Sequence, residues 1–309
     1  MEDFIKIIIA GLDNAGKTSI LTALNKKYDF NKDIISLTPT IRIEYHAMMF
    51  LKNKTVFWDM GGQKKYRDLY KDKQDLYFAD TDLLLFIIDI QDKERYSASL
   101  EYLDLILQYF IKSKMDVPLI IAFHKFDPEL RDDEGYLEII DNLRDKIAEK
   151  YSSFKILFQH TSIYDIISIV QLISYGLSVF DEKFFELSEL LENYLEEFNC
   201  KSLILFDKNG IIISEFYSKI IEPEIYTALL ESIKEHLFLL KRMQEESYEI
   251  DYHFSNIGDE LLSYLHKIKL GDSSFFISVI IRENLKDAFL EKFSDFLIDL
   301  KTILELLIN

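Results

Sequence analysis

The apolar run FIKIIIA at residues 4–10 leads directly into GLDNAGKT at 11–18 and then into the helix-like LTALNKKY at 21–28. No other stretch restricts the fold as much. A near-continuous apolar run of this length is a strand buried on both faces, and a helical pattern must start only a few residues later. Gly11 and Gly16 allow the backbone between them to wrap closely. The N–H groups of Asp13, Asn14, Ala15, Gly16, Lys17 and Thr18 can then converge on an anion at a helix N-terminus. The spacing G-x-x-x-x-G-K-[ST], in strand-then-helix context, makes that anion a nucleotide phosphate. Lys17 is a point charge for the outer phosphates, Thr18 offers a hydroxyl to Mg2+, and the binding stretch runs on through Ser19.

Strands and helices alternate from there. The strands are IRIEYHAMMF (41–50), KTVFWD (54–59), LLLFIID (83–89), PLIIAFHKFD (118–127) and FKILFQHTS (154–162); helices fall at 17–27, 98–113, 133–150 and 164–180. Apolar strands separated by helices predict an α/β domain with a mostly parallel six-stranded sheet, its one antiparallel edge formed by the second and third strands. After about residue 181 the order changes. A helix (183–198), a strand-turn-strand around DKNG (201–217), a long helix (223–246), three strands (248–255, 261–269, 273–282) and a last helix (285–307) predict an α+β domain with a five-stranded antiparallel sheet. The expected domains are therefore 1–180 and 181–309, as a chain of 309 residues exceeds what one core usually serves.

Three further stretches face the same nucleotide. VFWDMGGQ puts Asp59 at a strand end, able to hold Mg2+ through a water. The Gly62 N–H there faces a γ-phosphate, and Gln63, the candidate catalytic residue, orients an attacking water. In SLTPTIRI, Thr40 supplies a second contact to Mg2+ and γ-phosphate that hydrolysis would release. AFHKFD selects the base. Asp127 can accept from both N1–H and the 2-amino group of guanine, a pair that adenine lacks, while the Lys125 stem covers the ring beside His124. GTP and GDP are thus preferred to ATP, which would leave that carboxylate unpaired. Ser162 of TSI braces the loop, and the Ile163 N–H lies near guanine O6.

Composition narrows the partners. The net charge is −18, and residues 181–309, with 13 Lys and Arg against 26 Asp and Glu, carry −13 of it. That field repels nucleic acid and anionic lipid headgroups, so a protein partner is expected for the second half. The single cysteine, Cys200, forms no internal disulfide, and no apolar stretch of about eighteen residues occurs, so a cytoplasmic location is expected, with any recruitment to a membrane left to protein partners. Scattered His236, His253 and His266 suggest no metal site.

On these residues, the first 180 positions resemble a small Ras-superfamily GTPase. GLDNAGKTS and WDMGGQ resemble the Arf and Arf-like families, whereas HKFD and FQHTSIYD resemble the Rag/Gtr family; Arf proteins would carry Asn where His124 stands, and Ras-type loops have Gly at Asp13. The Rag family also has a C-terminal roadblock domain built as helix, two strands, helix, three strands, helix, an order that 181–309 match. The resemblance implies a slow GTP-hydrolysing switch that forms homo- or heterodimers through 181–309 and docks roadblock or longin-type proteins and GTPase regulators. With no glycine at position 2 and no N-terminal amphipathic helix, direct membrane insertion is not expected. A nucleotide-loaded scaffold with negligible hydrolysis is the alternative; a P-loop kinase is disfavoured, since no arginine-rich lid is visible.

Overall fold

The computed structural model describes residues 4–26, 37–51, 53–178, 183–218, 223–247, 250–257 and 260–308. The chain divides into two compact units, Met1–Leu172 and Ile173–Asn309. The sequence boundary at 180/181 lies outside the described residues, as do the end of the first expected helix at 27 and the start of the strand expected at 248.

In the first unit the strands are β1 (Ile5–Gly11), β2 (Ile43–Phe50), β3 (Asn53–Met60), β4 (Leu83–Asp89), β5 (Leu119–His124) and β6 (Ile156–Thr161). They form one sheet in the order β2-β3-β1-β4-β5-β6. Only β2 and β3 are antiparallel, with Glu44 opposite Asp59; β3, β1, β4, β5 and β6 run parallel. The central strands are apolar along their whole length because helices cover both faces: Ile7, Ile8, Ile9, Leu84, Phe86 and Ile121 are all buried. Each such side chain contributes about 1.5–3 kcal/mol.

The helices are α1 (Lys17–Lys26), α2 (Lys64–Asp72), α3 (Gln74–Phe78), α4 (Tyr96–Ser113), α5 (Glu134–Lys150) and α6 (Ile166–Ser178), the last crossing the division between the units. In α4 the buried positions Ser99, Tyr102, Leu103, Ile106, Leu107 and Phe110 repeat at three- and four-residue intervals, which is one face of a helix. Asp133 caps α5, its Oδ1 accepting from the N–H of Gly135 at 2.9 Å and of Tyr136 at 3.1 Å. The sequence reading assigns nothing between Gln63 and Leu83, yet α2 and α3 stand there. Their buried residues are few and all aromatic, Tyr70, Tyr77 and Phe78.

The second unit contains α7 (Lys183–Glu197), β7 (Ser202–Asp207), β8 (Ile212–Tyr217), α8 (Pro223–Glu246), β9 (Tyr252–Ile257), β10 (Leu261–Leu270), β11 (Ser273–Arg282) and α9 (Lys286–Ile308). Its strands make a five-stranded sheet, β8-β7-β11-β10-β9, antiparallel throughout. The DKNG turn is wider than a two-residue hairpin. Of its residues only Gly210 has positive φ (69°), its N–H donates to the Asp207 carbonyl at 2.9 Å, and a bulge shifts the register after Leu205. Asp207 stabilises this form through its own carboxylate, which accepts from the Ile211 N–H at 2.7 Å. Strand β9 lies later than 248–255 because it pairs with Leu261–His266. Among the described residues no helix is long and apolar enough to cross a membrane.

Candidate nucleotide site

A cavity of about 500 Å3 opens at the C-terminal ends of β1, β4 and β5, where the loop before α1 meets the segments following β3, β5 and β6. Ligands in open α/β sheets bind at such an edge. Of the residues expected from sequence, all line this cavity save Ala15, Asp59 and Ser162, which are buried. Leu37, Thr38, Pro39, Gln91 and Tyr164 join the wall without having been foreseen.

The loop's shape depends on glycine. Gly16 has φ +94°, and a Cβ there would run into the His124 ring. Gly62 approaches so closely that a Cβ would collide with the backbone of Leu12 and Asp13, so the segment after β3 rests directly on the loop. Behind the loop, Lys17 Nζ donates to the carbonyls of Gly11 (3.1 Å) and Leu12 (2.7 Å). Burial lowers its pKa to about 8, partly offset by the charges of Asp59 and Asp13. The ammonium so held places a positive charge against the cavity wall.

Thr18, Thr40 and Asp59, from three separate segments, come together. Thr18 Oγ1 donates to Asp59 Oδ2 at 2.5 Å, Thr40 Oγ1 lies 2.9 Å from Thr18 Oγ1, and Thr40 Oγ1 donates to Asp59 Oδ2 at 3.3 Å. Asp59 is fully buried, its Oδ1 has no hydrogen-bond partner among the described residues, and desolvation raises its pKa. Two hydroxyls and a desolvated carboxylate form an all-oxygen donor set, which fits Mg2+. Glu44 and His46 bring further ligand atoms within 4.8 Å of Asp59, a proximity set by the pairing of β2 with β3.

Asp127 stands at the other end of the cavity. Asp127 Oδ1 accepts from Ser162 Oγ at 2.6 Å and Oδ2 from Gln91 Nε2 at 2.9 Å, so the carboxylate is fixed while retaining lone pairs for a ligand. Lys125, with φ 62°, bonds Asp89 Oδ2 at 2.6 Å. His124 is buried with Nδ1 3.0 Å from Thr161 Oγ1, and desolvation followed by the Lys125 charge lowers its pKa to about 3. It therefore stays neutral and joins β5 to the end of β6 on one side and to Gly16 on the other.

Sequence reasoning missed Gln91, Asp89 and the setting of Arg95. Asp89 ends β4 and Gln91 follows it, and only the topology brings that end beside Asp127. Gln63 stands at the N-cap of α2 with its side chain making no capping bond, and its carbonyl accepts from the N–H of Tyr66 and Arg67.

The sequence is 37% identical over 123 residues to ADP-ribosylation factor-like protein 3 of Chlamydomonas reinhardtii, covering 40% of this chain and 63% of that protein. It is 32% identical over 123 residues to ADP-ribosylation factor-like protein 1 of Saccharomyces cerevisiae, covering 40% of this chain and 61% of the relative. The chain thus spans about three fifths of the length of these relatives. A solved structure, the Arl6 BBS3 small GTPase from Trypanosoma brucei with bound nucleotide analogue GppNp, aligns with 57% of this chain and 97% of its own at a TM-score of 0.47 and 17% identity. The ADP-ribosylation factor family model matches residues 1–165, more than half of the chain and the whole of the stretch that builds the cavity, and the protein belongs to that family.

Proposed function

We propose that this protein is a guanine-nucleotide switch that binds GTP and GDP with Mg2+ and hydrolyses GTP slowly. The observation that carries the reading is the meeting of Thr18, Thr40 and Asp59 at one end of a cavity whose other end holds Asp127 braced by Ser162. The first group suits a metal-bound triphosphate and the second suits guanine.

Phosphoryl transfer asks a protein for position and charge neutralisation more than for covalent chemistry. The amides of residues 13–18 and the Lys17 ammonium hold the phosphates, and the Gly62 N–H faces the terminal one. Gln63 orients the attacking water, helped by lying one residue from Gly62 and on the cavity wall. Thr18, Thr40 and Asp59 would hold Mg2+, which would supply neutralisation of phosphate charge. Thr40 and Gly62 respond to the terminal phosphate, and Gly62 packs on the loop, so losing that phosphate loosens both segments. Arg67 donates from Nε to the Gly62 carbonyl at 2.9 Å, and among the described residues no arginine lines the cavity to supply a cation to the transition state. Intrinsic turnover is accordingly slow, and a partner's arginine accelerates it by about 10³–10⁵-fold.

For residues 181–309 we propose a roadblock-like dimerisation domain of the kind found in Rag/Gtr proteins. Its support is the element order α7-β7-β8-α8-β9-β10-β11-α9 and the single five-stranded sheet. Homo- or heterodimers and roadblock or longin-type partners follow from that resemblance, and molar mass in solution tests it. Multiple-turnover phosphate release with GTP and ATP side by side tests the switch. Slow release from GTP alone is the expected result; bound GTP with no release identifies a nucleotide-loaded scaffold, and release from ATP overturns the base assignment.

A further inference from the structure

Arg95 ends the short 3-10 turn Lys93–Arg95 that connects β4 to α4. Its guanidinium grips Asp13 of the phosphate loop at two points: Nη2 donates to Oδ1 at 2.7 Å and Nη1 to the main-chain carbonyl at 3.3 Å. Asp92 Oδ2 lies 3.4 Å from Nη1 and steadies the guanidinium. Asp13 lines both the nucleotide cavity and a second, smaller pocket, whereas Arg95 lines only the second. The arginine therefore acts on whatever fills the nucleotide cavity through Asp13.

That arrangement answers an electrostatic difficulty. A loop whose amides gather around phosphates carries a carboxylate in its own wall, and like charges at such range repel, most strongly for a triphosphate. We propose that Arg95 is a positioning residue for the triphosphate: by neutralising Asp13 and tying both its side chain and its carbonyl, it keeps the loop in an anion-binding shape without an opposing charge. The inference rests on the guanine-nucleotide reading above. Both side chains are part-exposed, at 35% for Arg95 and 43% for Asp13, so solvent screens the pair. The expected effect is about two- to fivefold in affinity.

The test is a titration of N-methylanthraniloyl-labelled GTP and GDP, with Mg2+, into the full chain and its variants R95A, R95K, D13N and D13N/R95A. R95A is expected to weaken GTP by about two- to fivefold and GDP by less, and R95K to keep most of the affinity. D13N/R95A should bind GTP as D13N does, because removing the carboxylate removes the need for its partner. Unchanged GTP binding by R95A overturns the proposal. So does an equal loss whether or not the Asp13 carboxylate is present, since that assigns Arg95 to the phosphates or to the fold. A wild-type chain that binds neither nucleotide refutes the guanine reading itself, and is distinguished by that first titration.

Discussion

Thr18 Oγ1 donates to Asp59 Oδ2 at 2.5 Å across 41 residues of sequence, linking the start of α1 to the end of β3. Strands β1 and β3 are adjacent and parallel, with Ile9 paired to Asp59, so the loop that leads from β1 to Thr18 and the end of β3 meet at one edge of the sheet. Thr18→Ala removes one of the oxygen donors at that point. GTP affinity should fall by at least about tenfold in Mg2+ and differ little from wild type in excess chelator. Titrations with and without chelator check it; an equal loss in both conditions would assign Thr18 to the loop's shape alone.

Gln63→Leu should lower GTP turnover by at least about tenfold while leaving GTP affinity within about threefold, because the side chain orients water and does not hold phosphate. Single-turnover hydrolysis measured beside equilibrium binding separates the two. Unchanged turnover would remove Gln63 from the reaction.

At the base end, Asp127→Asn turns an acceptor facing guanine into a donor. Preference should move from GTP towards xanthosine triphosphate, by about 1–3 kcal/mol for each polar group left unpaired. Competition between the two nucleotides reads the change directly. Retained selectivity for GTP would mean that another residue selects the base.

How much of this was legible in the sequence depends on whether local pattern or topology makes the contact. The stretch from β1 to α1 was readable because Gly16, Lys17 and Thr18 act within a few residues of one another. Asp127 and Ser162 were readable as types, each following an apolar strand. Arg95 and Gln91 were not, since a polar residue in a turn has no pattern, and only the β1-β4-β5 order places that turn beside Asp13 and Asp127. Helices α2 and α3 escaped because their buried positions are few and aromatic. In the second unit, the Asn-Gly pair signalled a turn correctly but not its length, which Asp207 decides by accepting from the Ile211 N–H.

Lys17 links nucleotide binding to protons. Its pKa in the free protein is lowered from 10.5 to about 8 by burial, so between those values the unfolded chain holds more protons and stability rises with pH. Lys6, also lowered to about 8 by burial, contributes in the same direction but lies on β1 away from the cavity wall. Phosphates restore charge on Lys17 alone, so binding above pH 8 should take up protons and binding near pH 6 should not. Calorimetry in buffers of different ionisation enthalpy measures the uptake, and its absence at high pH would contradict the ammonium's assigned role.

In the second unit, His236 is buried between Ser278 Oγ (2.7 Å from Nδ1) and Ser263 Oγ (2.8 Å from Nε2), and Ser263 meets Ser232 at 2.5 Å. His236→Leu leaves these hydroxyls without that partner and should destabilise the unit by about 1–3 kcal/mol. The loss is read as reduced amide protection in β10 and β11. Desolvation lowers the His236 pKa from 6.5 to about 3, so below pH 6.5 the unfolded chain takes a proton that the folded one refuses, and stability falls as pH drops towards 3. The leucine variant should show a shallower fall; an identical pH profile would place His236 outside the acid response.

The most direct test of the central claim is equilibrium dialysis of the purified chain against labelled GTP in Mg2+, with ATP in excess as competitor. The account predicts retention of GTP that ATP does not displace and that chelating the metal weakens. Folded protein that retains no guanine nucleotide, or that releases it equally to ATP, would contradict it.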